Sequence, residues 1–457
     1  MRVKLAGVFL LATAAVAQSQ LPLRPGESAQ QTAPAVGQSG PPITLTFQDA
    51  LARARMYEPQ FLIAANAADL ARQDVVQARA ALYPSFGLSS QYLNTEGNGK
   101  LSVGRFVTND GVHVYREWAV FHQDLSPGTL LKSGYQRAET AEAVAQARVE
   151  IAQRGLTVAV TRAYYGLVNA QRRYATMQMA LEQAANYLKI SRDLENGGEA
   201  PHSDVVKAQI QYNTQDQALR EARLAMNTAR LDLAVLLFPT FEQNFQVVDD
   251  LQLASALPPL ADVEAMASRQ NPDLRAAMET LRGTELDVTI AHQAYLPTLT
   301  VDVDYGLEAN QIGWTAVDVE EPQKGRVPAV GYFLTAALNI PVWDWGARRS
   351  RLRQAELRRA QANLDLTVTQ RELARNLSGF YDEAQTARGE LDLLRQTADL
   401  AAENLRLNTL RYQAGEATIL ELVDAHNTLT QARNALDDGQ VRYRVALANL
   451  QTLTGTF

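Results

Sequence analysis

The chain of 457 residues contains no cysteine. That excludes disulfides, thiolate metal ligands, a cysteine nucleophile and a lipid-modified N-terminal cysteine. Histidine is scarce. The five present, His113, His122, His202, His292 and His426, form no close pair at metal-ligand spacing. No nucleophile and base fall into a recognisable catalytic constellation, so the sequence predicts neither an enzyme nor a cofactor. Basic charge is also lacking: the net charge of −7 argues against nucleic acid as a partner. Past the first residues, no stretch approaches the ~20 apolar residues of a membrane-spanning helix. A chain of this kind crosses a membrane only as strands of a closed barrel. Proline, with 17 residues, is absent from 128 to 200 and from 342 to the end.

The first residues, MRVKLAGVFLLATAAVAQSQ, run from Arg2 and Lys4 through an apolar core to Ala15-Val16-Ala17. This order predicts a secretory signal peptide over 1–17. Residues 18–43 are rich in Gln, Pro, Ser and Gly and predict a flexible N-terminal arm.

The prolines then mark a duplication. Pro59 and Pro272 have the same separation as Pro84 and Pro297, and one residue more separates Pro127 from Pro341. The surroundings agree: EPQF (58–61) matches NPDL (271–274), and ALYPSFGLSSQY (81–92) matches AYLPTLTVDVDY (294–305). The chain therefore reads as two copies of a unit of roughly 210 residues sharing one architecture, over 44–257 and 258–457. Each unit reads as helix, strand, long polar loop, strand, very long helix, break and helix.

The proline-free stretches are rich in Ala, Leu, Gln, Arg and Glu, which favour helix. A helix over 345–413 would be roughly 100 Å long. Its apolar residues Leu391, Leu394, Ala398, Ala401 and Leu405 recur at threes and fours, a thin Ala-rich face suited to helices packed side by side. The expected strands lie near 84–94, 113–126, 297–305 and 330–341. In the third, Leu299, Val301, Val303 and Tyr305 share one face and Thr298, Thr300, Asp302 and Asp304 the other. Strands of about ten residues with one apolar face suit a tilted membrane barrel. Tyr92, Trp118, Tyr305 and Tyr332 are candidates for interfacial girdles, and Trp343 and Trp345, followed by Arg348, Arg349, Arg351 and Arg353, for the inner boundary. Four strands cannot enclose a water-filled interior, so several chains are required.

At this point the chain resembles the TolC-like outer-membrane efflux proteins. The resemblance is carried by ARAALYPSF and AHQAYLPTL at the helix-to-strand joints, LNIPVWDWGARRS at the strand-to-helix joint, and YQAGEATILELVDAHNTLTQARNAL near the end. It covers about 44–455. It implies a mainly α chain with a membrane β-barrel: a homotrimer whose 12-stranded barrel joins a long periplasmic α-helical barrel. A mixed belt is expected near 239–260 and the C-terminal end. The implied function is a passive outer-membrane exit duct for efflux or type I secretion. Its implied partners are outer-membrane lipid, a periplasmic adaptor and an inner-membrane pump of the RND or ABC type, and it needs no cofactor. The exported substrate, selected by the pump, is not legible. A rival reading of the same chain is a secreted helical scaffold that binds partners and conducts nothing.

The Gly-Glu-Ala triplet occurs twice, as Gly198-Glu199-Ala200 and Gly415-Glu416-Ala417. The resemblance makes these the helix–helix turns of the periplasmic tip, where adaptors dock. Glu421 and Asp424, at i and i+3, share one helix face. By resemblance they face the lumen and ring its narrowest point, which would favour cations. Asp204 and Tyr412 match tip residues that help to hold the family's closed state. The arginine expected just after the second turn is absent, its place taken by Ala417. Arg411 is the candidate substitute as a partner for Asp204.

Overall fold

A computed structural model describes residues 43–95, 112–198, 201–240, 244–252, 256–309, 315–317, 326–328, 330–414 and 416–455. The signal-peptide reading and the arm up to residue 42 fall outside these. In chain order the elements are β1 (Ile43–Leu45), α1 (Phe47–Tyr57), α2 (Pro59–Ala80), β2 (Ser85–Thr95), β3 (Val112–Asp124), α3 (Pro127–Leu130), α4 (Ser133–Asn196), α5 (His202–Leu237), β4 (Phe245–Val247), α6 (Leu260–Gln270), α7 (Pro272–Gln293), β5 (Thr298–Ala309), β6 (Thr315–Val317), β7 (Arg326–Pro328), β8 (Val330–Asn339), α8 (Ala347–Gln413) and α9 (Ile419–Thr454). Ile43, grouped with the arm in the sequence, opens β1.

The two repeats match element by element. Helices α1 and α6 have 11 residues each, α2 and α7 have 22, α5 and α9 have 36, and α4 and α8 have 64 and 67. The expected break at Pro59 is sharp. Glu58 ends α1 in an extended conformation, and its carboxylate accepts the Phe61 N–H at 2.6 Å to cap α2. Asn271 does the same in the second repeat, accepting from Leu274 N–H at 2.8 Å. In both, proline stands at the first helical position, where its missing N–H costs nothing. The repeats differ at the second strand-to-helix joint. The first inserts the short α3 and turns through Lys132 at φ +55°, whereas the second turns through Trp345 at φ +55° and Gly346 at φ +87°.

Strands β2, β3, β5 and β8 form one antiparallel sheet in that order. Its register places Phe86 beside Phe121, Phe121 beside Val303, Val303 beside Leu334, and Tyr305 beside Tyr332. Since side chains alternate along a strand, these residues share one mainly apolar face, interrupted towards the β2–β3 loop by Ser90, whose hydroxyl donates to Glu117 at 2.6 Å. The other face carries the Arg116–Glu308 ion pair at 3.0 Å and the His122–Asp302 contact at 2.5 Å. One girdle candidate is corrected. Trp118 lies opposite Gly306, on the polar face, and its ring packs 5.0 Å from Phe333. Tyr92, Tyr305 and Tyr332 lie on the apolar face and are exposed. Trp343 and Trp345, just below β8, are also exposed and meet edge to face at 5.7 Å.

The thickest core lies halfway along α4. Tyr164, Tyr165, Leu167 and Val168 pack there against Leu45, Ala50, Leu233, Leu237 and Phe245. Strands β1 and β4 pair in parallel beside it, and the buried Tyr164 hydroxyl donates to their flanking backbone at Leu45 and Val248. Arg172 ties this belt to the last helix. Its guanidinium grips both Asp249 oxygens, at 2.6 and 2.7 Å, and Asp437 at 2.6 Å. Burial works to raise the Asp249 pKa, but hydrogen bonds from Arg172 and Leu251 outweigh it and hold the carboxyl low. Asp437 is held high by its deeper burial despite the same arginine. The belt therefore draws on the N-terminal strand as well as the expected region after 239. Away from it the contacts are thin, as the Ala-rich pattern predicts: Ala398 and Ala401 of α8 meet Leu429 and Ala432 of α9.

Candidate functional site

Helices α4 and α5 make one hairpin, α8 and α9 another, and the two turns lie side by side. At the first, α4 ends on Gly197, and Gly198 adopts φ +76°, a left-handed conformation that glycine reaches without steric cost. Pro201 caps α5, and Asp204 sits in its first turn, where the helix dipole favours a carboxylate. His202 contacts Glu195 at 2.7 Å, bridging the ends of the two helices. Glu199, Ala200 and Gly415 lie outside the described residues.

At the second turn, Glu416 N–H donates to Arg411 O at 2.8 Å. Ala417 is half-buried. Thr418 then caps α9 in a capping box: its hydroxyl accepts from Glu421 N–H, and the Glu421 carboxylate accepts from Thr418 N–H. The Thr-x-x-Glu signature of that cap was present in the sequence. Glu421 also meets Arg411 at 3.4 Å. Arg411 accordingly braces its own turn and does not partner Asp204, which pairs with Lys207 at 3.3 Å.

Leu422 and Ala425 of α9 are buried, while Glu421 and Asp424 are exposed. The two acids therefore lie outside the buried stripe of α9, with Glu421 still within reach of Arg411 of α8. Asp424 has no ion-pair partner among the described residues, so it is the less compensated of the two.

Asp204 and Tyr412 do come together. Both line a cavity of about 360 Å³ between the hairpins, with Tyr187 and Ser191 of α4 and Ile419 and Val423 of α9. Burial raises the pKa of Tyr187, with help from Tyr412, and that of Tyr412 itself. Gln211, which also lines the cavity, and Gln215 of α5 donate to Asn427 of α9 at 3.2 and 3.4 Å. Sequence reading missed Tyr187, Ser191 and Lys207, which no local motif marks.

His426 faces the same seam. Burial, and then the charge of Arg433, push its pKa below the usual histidine value. A depressed histidine pKa stabilises the folded form above the unfolded pKa, about 6.5. That contribution is lost as pH falls through the folded value. Acidification from pH 7 to 5 is expected to loosen the seam, and His426→Gln to flatten that response. Hydrogen exchange of the α9 amides against pH checks this, and an unchanged acid slope in the variant would refute it.

Comparison with known proteins decides the family. The model of the outer membrane efflux protein family matches residues 49–237 and 265–456, one segment in each repeat. The chain belongs to the outer membrane efflux protein family. It is 23% identical to outer membrane protein TolC of Vibrio cholerae, over 88% of this chain and 89% of that one. Its fold matches the CmeC outer membrane channel of Campylobacter jejuni, with a TM-score of 0.74, 16% identity, and 90% and 85% of the two chains covered. It also matches VceC of Vibrio cholerae, with a TM-score of 0.73, 17% identity, and 90% and 96% covered. The chain is thus an outer-membrane efflux channel with a periplasmic helical tunnel. Such channels are passive exit ducts and not enzymes. No described helix is long and apolar enough to cross a membrane.

Proposed function

We propose that three copies of this chain close one duct, each giving four strands to a 12-stranded barrel and two hairpins to the tunnel tip. The observation that carries this is the open sheet. Strands β2 and β8 are its edges, and an unpaired edge in lipid leaves backbone groups without partners. Exposed Phe86, Leu88, Tyr332 and Leu334 need lipid on the same face. Joining β8 of one copy to β2 of the next satisfies both needs. At the far end, Glu421 and Asp424 of three copies ring the lumen, with Asp204 and Tyr412 in the seam behind them. The turn residues Gly198 to Ala200 and Gly415 to Ala417 meet a periplasmic adaptor, which couples the duct to an inner-membrane pump of the RND or ABC type.

The absence of native cysteine makes the test clean. Cysteines are placed in pairs, one within β2 and one within β8, and the protein is oxidised in the outer membrane. Covalent species up to the trimer are expected at one register of positions. Monomer at every position would refute barrel closure.

A further inference from the structure

We infer that the turn from β8 into α8 gathers anionic phospholipid in the periplasmic leaflet of the outer membrane. The turn is built rigidly around Asp344. Its carboxylate accepts from Gly346 N–H at 3.2 Å, Arg348 N–H at 2.9 Å and Arg348 Nε at 2.8 Å, and the same guanidinium donates to Pro341 O at 2.9 Å. Trp345 is held at φ +55°, a conformation costly for a bulky residue. Little inside the chain offsets that cost. The Trp345 indole is 90% exposed, and its one ring contact among the described residues is with Trp343, itself 73% exposed. Leu338, Ile340 and Val342 are exposed beside them and continue the apolar face of the sheet. The joint in the first repeat exposes Leu130 and Leu131 in the same way. Indoles projected from a rigid turn at the end of an apolar sheet face suit the bilayer interface, where the ring is buried and its N–H stays wet.

Charge names the lipid. From Asp344 to Arg359 there are six arginines and two acids, in a chain of net charge −7. Both acids are already taken, Asp344 by Arg348 at 2.8 Å and Glu356 by Arg353 at 3.0 Å. Arg349, Arg351, Arg358 and Arg359 are exposed and have no ion-pair partner among the described residues. Helix α8 begins at Ala347, so Arg349 and Arg351 lie about 3 and 6 Å along its axis, and Arg358 and Arg359 about 17 and 18 Å. Salt screens charge over about 8 Å. The first pair therefore acts on a headgroup at the turn, and the second does not. Every phospholipid offers a phosphate to a guanidinium. Uncompensated positive charge adds a preference for headgroups that lack an ammonium of their own, about fivefold for a cation near the surface.

The purified full-length protein is reconstituted into vesicles of equal parts phosphatidylcholine and phosphatidylglycerol, with brominated chains on one lipid or the other. The readout is quenching of the Trp343 and Trp345 fluorescence, taken as the difference from Trp343→Phe/Trp345→Phe. Brominated phosphatidylglycerol is expected to quench with about a fivefold preference. Arg349→Gln/Arg351→Gln is expected to lose the preference, Arg349→Lys/Arg351→Lys to keep it, and Arg358→Gln/Arg359→Gln to leave it unchanged. Heat stability checks folding. If the tryptophan variant does not fold, total fluorescence of the arginine variants, all at exposed positions, decides. Equal quenching by the two lipids overturns the inference, as does a preference that survives in folded Arg349→Gln/Arg351→Gln. The inference rests on the apolar sheet face meeting lipid, as proposed above. Quenching by neither lipid, as when a second copy covers the indoles, would overturn it and count against that placement too, whereas equal quenching would leave the placement standing.

Discussion

Replacing Gly306 with alanine is expected to abolish assembly of the barrel. Gly306 lies in β5 between Trp118 of β3 and Gly331 of β8. A Cβ at this position would sit 1.9 Å from the Glu117 carbonyl oxygen and 2.9 Å from the Trp118 Cα. Both obstacles are backbone, so no side-chain rotation relieves the clash. The β3–β5 ladder must open, and each backbone group freed within lipid costs several kcal/mol. The surrounding side chains fit the same demand, because Trp118 packs on Phe333 across the bare glycine and covers it. Gly331, on edge strand β8, has nothing of its own chain within 4 Å of an added Cβ and provides the control for a clash inside one protomer. Gly306→Ala is expected to be missing from the heat-resistant outer-membrane oligomer, with Gly331→Ala present. Equal amounts of both in that fraction would contradict the register described here.

The second large effect is electrical. Neutralising Glu421 and Asp424 together is expected to bring the preference for cations close to unity and to relieve block by divalent cations. The substitutions matter. Glu421→Gln retains the capping box, which accepts Glu or Gln at this position, so charge is removed without unwinding the start of α9. The two acids are not equal. Glu421 shares its charge with Arg411 at 3.4 Å, whereas Asp424 has no ion-pair partner among the described residues. Asp424→Asn alone is therefore expected to take most of the effect and Glu421→Gln alone little. Reversal potentials in a salt gradient measure this. Unchanged selectivity in the double variant would remove both acids from the gate.

Much of the fold was legible because its signals are local. Pro59, Pro84, Pro272 and Pro297 sit where helices start or end, so the duplication could be read from their spacing. Alternation in LTVDVDYG placed the β5 faces correctly, since Leu299, Val303 and Tyr305 all fall on the apolar side. Trp118 could not be placed in this way. Both faces of VHVYREWAVFHQD mix polar and apolar residues, and only pairing with Gly306 shows which one the indole joins. The tip divides along the same line. The turns, and the shared face of Glu421 and Asp424, follow from spacing within one segment. The Arg411–Glu421 bridge crosses a turn, and the Tyr187–Tyr412 seam joins residues far apart in the chain. Neither leaves a periodic trace. The expected Arg411–Asp204 pairing failed because Lys207, one turn along on α5, is the nearer cation for Asp204.

The duct proposed here has a membrane part shared among chains and a far end narrowed by acids. Single-channel recording of the purified protein in a planar bilayer, under a salt gradient, tests that claim most directly. The account predicts a small, cation-selective conductance from a sample with the mass of a trimer. Anion selectivity, or no conductance from a folded and membrane-inserted trimer at any applied voltage, would contradict it.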